Sequence, residues 1–133
     1  MVGLLLIAHA PLASALQAVA MHAFADSGVP LQALDVEPHI SPEEVELRAR
    51  AMMQRLGTEE VLILADVFGA TPCNVAQRLA DTQRVCVIAG VNVPMLWRSL
   101  CYAAEPLESL VTRALAGASQ GVLQLPTPHN PVS

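Results

Sequence analysis

Three short stretches carry side chains able to do chemistry. His9 follows the apolar run Val2–Ala8, and Asp66 follows the apolar run Val61–Ala65. Gly69, Ala70 and Thr71 come directly before Pro72 in "DVFGATPCN". An imidazole paired with a carboxylate is a versatile unit. The carboxylate accepts a hydrogen bond from one ring nitrogen, fixes the tautomer and leaves the other nitrogen with a free lone pair. It also stabilises the positive charge that grows as that nitrogen attacks an electrophile. The same pair serves equally as nucleophile, general base or metal ligand. The stretch around Thr71 helps to choose. A helix start presents open backbone N–H groups that favour an anion, and a threonine hydroxyl adds a donor. A nucleophilic imidazole beside an anion cradle points to a phosphoryl group received and passed on. Neither loop holds Lys or Arg to clamp a nucleotide, which favours a phosphoprotein over ATP as donor.

These residues act together only if the chain brings them together. Val2–Ala8 is wholly apolar, as a strand buried on both faces must be. From Leu12 the spacing turns helical, with Leu12, Leu16, Val19, Ala20 and Ala23 as the expected inner face and Ser27-Gly28 as the stop. Leu31–Glu37 reads as a second strand. Ser41, Pro42 and Glu44 then form a capping box for a helix that buries Val45, Ala49, Met52, Met53 and Leu56 and ends at Gly57. Val61–Ala65 is a third strand. Thr71-Pro72 caps a further helix with Val75, Ala76 and Leu79 inside. Arg84–Ala89 is a fourth strand. Pro94 opens a helix to about Tyr102, and Pro106 opens another with Leu107, Leu110, Val111, Ala114 and Leu115 on one face. Val122–Leu125 reads as a short last strand.

Strands alternating with helices give βαβ crossovers and a flavodoxin-like, doubly wound, mainly parallel α/β sheet. Ligands in such sheets gather beyond the carboxyl ends of the strands, where the strand order reverses. His9, Asp66 and the segment Gly90–Asn92 all sit at such ends. In a flavodoxin-like order the first and third strands are neighbours, so His9 and Asp66 face one crevice. Singly, each of these residues reads as an ordinary structural one; the joint placement is what points to a site. Phe68, Asn92 and Pro94 lie in the same end loops and are assigned to partner docking or site lining.

The 133 residues fit one domain, taken as 1–125 with 126–133 as a flexible tail. Hydrophobic residues make up 53% and aromatics 3%, so the core is aliphatic, with apolar residues to spare for a partner. The net charge is −5 and all seven basic residues are scattered arginines, which argues against nucleic acid. Cys73, Cys86 and Cys101 have no paired spacing and read as reduced packing residues of a cytoplasmic protein. The uncharged first 25 residues lack the positive start of a signal peptide. Their apolar run, broken by His9 and Pro11, is far short of the roughly 20 residues that span a bilayer. His22 and His39 have no metal-ligand neighbour at useful spacing and His129 belongs to the tail, so no metal and no cofactor is expected. Met52, Met53 and Met95 read as core or interface filler, and Trp97 and Tyr102 as packing residues. The chain has no G-x-x-x-x-G-K-[ST] loop and no G-x-G-x-x-G after the first strand. It also lacks the acidic pair and late lysine of a response-regulator receiver, and the hydroxyl-rich first loop of a flavodoxin.

"IAHA", "LADVFGATPCNVA" and "VIAGVNVPML" resemble the strand-one histidine, the Asp–aromatic–Gly–x–[Ser/Thr]–Pro–x–Asn signature and the post-strand-four segment of one family. That family is the mannose-type enzyme IIA (EIIA-Man) of the bacterial phosphoenolpyruvate-dependent phosphotransferase system (PTS). The resemblance covers almost the whole chain. It implies a phosphotransferase component in which His9 takes a phosphoryl group from the phosphocarrier HPr on Nε2 and passes it to a IIB protein or domain. Asp66 would hold Nδ1–H, and Gly69, Ala70 and Thr71 would line the phosphoryl site. It also implies a cytoplasmic homodimer that exchanges a C-terminal strand, for which Val122–Leu125 is the candidate. Ala10, Pro11 and Ala70 depart from the family's usual glycines and stiffen the site. Sugar uptake and regulation both remain open, as does a non-catalytic regulatory module of the same fold that binds a partner. A small hydrolase with His9 as base lacks an evident nucleophile.

Overall fold

The computed structural model describes residues 1–128. The elements run β1 (Gly3–His9), α1 (Leu12–Ala23), β2 (Leu31–Val36), α2 (Pro42–Leu56), β3 (Val61–Ala65), α3 (Thr71–Leu79), β4 (Val85–Ala89), α4 (Val93–Cys101) and α5 (Leu107–Gln120). The four strands form one parallel sheet in the order β2-β1-β3-β4. Strand order reverses between β1 and β3, so the switch point lies where the sequence placed it.

Alternation along the strands sends side chains to two cores. Leu4, Leu6, Ala8, Leu62 and Leu64 pack with α1, α4 and α5 on one face. Leu5, Ile7 and Ile63 pack with α2 and α3 on the other. Leu4, Leu5, Leu6 and Ile7 are all completely buried. Each such side chain contributes about 1.5–3 kcal/mol relative to exposure. The strand that ends in His9 is therefore among the most firmly held segments of the molecule. Among the described residues no helix is long and apolar enough to cross a membrane.

Most element bounds agree with the sequence to within a residue, and the differences have physical causes. α1 buries Ala13, Leu16 and Ala20, while Leu12, Val19 and Ala23 are exposed. α1 also stops at Ala23, not at Ser27-Gly28, because Phe24 leaves the helix and sets its ring edge-on to Trp97 at 5.3 Å. α3 is capped by Ala70, with Thr71 already inside the helix. Leu115 of α5 is exposed, and Gly117 takes an inner position instead. Val122–Leu125 forms no strand within the single chain, and Val122, Leu123 and Leu125 are exposed. His129 lies outside the described residues.

Candidate functional site

His9 is the last residue of β1, and Asp66 follows the last residue of β3. The register Ile7↔Ala65 brings the two ends side by side. His9 Nδ1 lies 2.7 Å from Asp66 Oδ2, and the His9 backbone N–H donates to the same oxygen at 2.9 Å. The Val67 N–H donates to Asp66 Oδ1 at 2.8 Å. Both carboxylate oxygens are thus occupied, and the Asp66 side chain is only 11% exposed against 54% for His9.

Burial works against charge on Asp66. The hydrogen bonds from the His9 backbone, the His9 ring and the Val67 backbone, with the His9 charge whenever the ring is protonated, outweigh it and hold the carboxyl below its usual range. An ionised carboxylate can only accept, so the proton between the two groups sits on Nδ1. In the neutral ring Nε2 is then the nitrogen with the available lone pair.

The loop from β3 to α3 borders this pair. Phe68 is 77% exposed, an unusual state for a phenyl ring, and Val67 beside it is exposed too. Gly69 has φ +90°, which glycine adopts without the Cβ penalty, and this turns the chain into α3. Asn74 Nδ2 donates to the Gly69 carbonyl at 3.3 Å and closes the loop. Ala70 has no side chain to cap α3, and no side-chain cap bond is made. Pro72 brings no N–H, which leaves the Thr71 and Cys73 amides as the open donors of the first turn, with the exposed Thr71 hydroxyl beside them.

The loop after β4 hangs from the same place. The Gly90 N–H donates to the Asp66 carbonyl at 3.0 Å, and the Val91 N–H to the Ala65 carbonyl at 3.0 Å. Asn92 caps α4, accepting from the Met95 N–H at 2.9 Å and donating to the Ala118 carbonyl at 3.3 Å. Pro94 packs against Gly117 and Gly121 around the end of α5. Asn92 and Pro94 therefore spend their contacts on the α4–α5 junction, behind the loop that Asp66 holds. Among the described residues no cluster of three or more His, Cys, Asp or Glu side chains could hold a metal. Cys73, Cys86 and Cys101 are free thiols; burial, then the Glu60 and Glu108 charges, push the Cys86 thiol up.

One feature at this edge carries no motif in the sequence. Asp35, near the end of β2, accepts from Ser14 of α1 through both oxygens, 3.0 Å from the backbone N and 2.6 Å from Oγ. The strand-end rule that singled out Asp66 also applies to this carboxylate.

Residues 3–114 match the family described as "PTS system fructose IIA component", EIIA-man. The chain belongs to the EIIA-man family. A relative in Escherichia coli (strain K12), "PTS system mannose-specific EIIAB component", is 33% identical over 96 residues, 69% of this chain and 30% of that protein. The Bacillus subtilis (strain 168) "PTS system fructose-specific EIIA component" is 37% identical over 71 residues, 53% of this chain and 49% of that one. The chain thus spans less than half the length of these EIIA-man relatives. Among solved structures, the "Mannose/sorbose specific IIA subunit of phosphotransferase system from Enterococcus faecalis" superposes with TM-score 0.84 at 21% identity, covering 97% of this chain and 98% of that one. A phosphotransferase system EIIA component from Streptococcus agalactiae gives TM-score 0.83 at 19% identity, covering 93% of this chain and 97% of that one. At such identities the two structures establish the common EIIA fold.

Proposed function

We propose that this chain is a phosphoryl carrier of the phosphotransferase system, with His9 as the acceptor. One observation carries the reading: Asp66 binds His9 at Nδ1, within 2.7 Å, and leaves Nε2 free on a half-exposed ring at the switch point. In the proposed step, Nε2 of His9 attacks the phosphorus of a phosphohistidine on HPr. The N–P bond of the donor breaks, and the donor imidazole leaves with its electron pair. The His9 ring keeps the proton on Nδ1 and becomes cationic, and the Asp66 carboxylate balances that charge. The Thr71 and Cys73 amides, with the Thr71 hydroxyl and the loop Gly69–Ala70, receive the phosphoryl oxygens at the start of α3. Transfer to a IIB protein or domain is the same displacement in reverse, for sugar uptake or its regulation.

Phe68 and Val67 form the apolar rim on which both partners dock in turn. Asn92 and Pro94 line the site from behind by fixing the loop after β4. Residues 1–125 act as one cytoplasmic domain, and two copies pair by exchanging Val122–Leu125. Support for that exchange comes from the exposed aliphatic side chains of this segment and from β4, which stands at the edge of the sheet.

Incubation with enzyme I, HPr and phosphoenolpyruvate tests the reading. The intact chain takes up one acid-labile phosphate, and His9→Ala takes up none. Label retained by His9→Ala would remove His9 from the role, and an unlabelled intact chain would favour a non-catalytic binding module.

A further inference from the structure

We infer that Asp35 is a positioning residue for His9, acting as a borrowed N-cap for α1; the inference rests on the phosphoryl-carrier reading above. α1 starts immediately beyond the turn that carries the histidine, and its own N-cap residue is Pro11. Proline has no side-chain acceptor, and α1 makes no cap bond from its own N-cap. The amide that a cap would normally satisfy is the third of the helix, that of Ser14. That N–H donates instead to Asp35 Oδ1, 21 residues away, at 3.0 Å. The Ser14 hydroxyl has one proton and two acceptors in reach, the Pro11 carbonyl at 3.1 Å and Asp35 Oδ2 at 2.6 Å. The shorter, charge-assisted contact takes it. The carboxylate also sits at the positive end of the α1 dipole.

The geometry ties this clasp to the reacting side chain. β2 pairs with β1 in the register Ala8↔Asp35 and His9↔Val36. The Ala10 N–H donates to the Val36 carbonyl at 3.0 Å. Two successive β2 residues therefore pin the turn at both ends, Val36 just after His9 and Asp35 at Ser14. The strand on the opposite side of β1 supplies Asp66, which pins the ring. Each neighbour of β1 thus gives one aspartate, one for the imidazole and one for the backbone that bears it. Pro11 stiffens the short link between the two anchors. Displacement of a reacting atom by a fraction of an ångström to one ångström is enough to cost a large factor in rate.

The test measures phosphoryl transfer from phosphorylated HPr to the intact chain and to Asp35→Ala, Asp35→Asn, Ser14→Ala and Ser14→Thr. Asp35→Ala lowers kcat roughly tenfold or more, with KM for the donor within about twofold. Ser14→Ala, which removes one exposed hydroxyl, lowers kcat about threefold, and Ser14→Thr restores it. Asp35→Asn keeps an acceptor for the Ser14 N–H and falls between. Ring ¹⁵N spectra separate this from damage to the Asp66 pair, because the Asp35 and Ser14 variants keep the Nδ1-protonated pattern of His9. Wild-type kcat in Ser14→Ala and Asp35→Asn overturns the inference, and so does loss of the Nδ1–H pattern in those variants. An intact chain that accepts no phosphate from HPr overturns the carrier reading itself, a separate outcome. Should Asp35→Ala not fold, the two milder variants decide the matter alone.

Discussion

The starts of α2 and α3 are built from nearly the same parts. Each has a proline in its first turn and an extended residue at its N-cap. At α2 that residue is Ser41, whose side chain accepts from the Glu44 N–H at 3.1 Å, with Glu43 and Glu44 adding negative charge. At α3 it is Ala70, which offers nothing, and the first turn holds no acid. α4 repeats the closed form through Asn92, and α1 is closed by Asp35. An N-cap side chain contributes about 1 kcal/mol, so leaving one out has a cost. α5 also lacks a cap bond, at Pro106, but carries Glu108 in its first turn, whereas the start next to His9 and Asp66 has neither cap nor acid. A helix that satisfies its own amides is sealed to anions, whereas one that does not keeps them for a ligand. The contrast between α2 and α3 thus sets a helix start closed by its own side chains beside one whose first amides stay available, as the proposed phosphoryl site requires.

The strongest way to break this contrast is through the pair that the open start serves. Asp66→Asn keeps the size of the side chain but offers Nδ1 an amide in place of a carboxylate. Phosphoryl transfer to His9 should fall on the order of hundredfold or more, measured as the rate of labelling from phosphorylated HPr. A rate within a few-fold of the intact chain removes Asp66 from the mechanism. Next comes the helix start itself. Ala70→Asp gives α3 the cap it lacks and raises the urea midpoint by the equivalent of about 0.5–1 kcal/mol. It also places a negative charge where phosphoryl oxygens would sit, and transfer should drop about tenfold. Transfer at the full rate by a stabilised Ala70→Asp protein would mean that the open amides take no part in holding the phosphoryl group. Ser41→Ala is the mirror experiment. It removes a cap that serves only the fold and should lose about 1 kcal/mol in urea denaturation while labelling proceeds unchanged.

The smallest effect is electrostatic. Asp66 is held below its ordinary value of 3.8 in the folded protein. A carboxyl lowered in this way stabilises the fold fully above that ordinary value, and the contribution fades as pH falls through the lower folded value. The stability difference between the intact chain and Asp66→Asn should therefore stay level down to about pH 4 and narrow below it. A difference that is level through the acid range contradicts the lowered carboxyl.

What the sequence made legible follows from how local each signal is. β3 and α2 could be read because their bounds are marked by residues acting within a few positions: the fully apolar Val61–Ala65, the Ser41–Glu44 cap, and Gly57 in the left-handed region. His9 and Asp66 could be paired because both end central strands and the topology rule does the rest. The inner face of α1 was misread for a reason its composition explains. The helix carries no Asp, Glu, Lys or Arg, so no polar side marks its outside, and Leu12 and Val19 look as inward as Leu16. Thr71 reads as the cap of α3 because proline favours the first helical position, whereas the helix starts one position earlier and puts Pro72 second. Asp35 was invisible because its partner lies 21 residues back, across a strand pairing that no spacing reveals. Val122–Leu125 has the composition of a strand, but a strand exists only on an edge that accepts it.

The end of α5 is braced by groups that trace back to Asp66. The Gly90 N–H hangs from the Asp66 carbonyl, Asn92 two residues on grips the Ala118 carbonyl, and Pro94 presses on Gly121, where an added Cβ would run into the proline ring. Arg98 donates to Gln120 on the same stretch at 2.9 Å. The departing C-terminal segment is therefore aimed, like a mast stepped into a keel, by the same framework that fixes the imidazole. Two copies that exchanged that segment would each send it out from a point held by the framework around their own histidine.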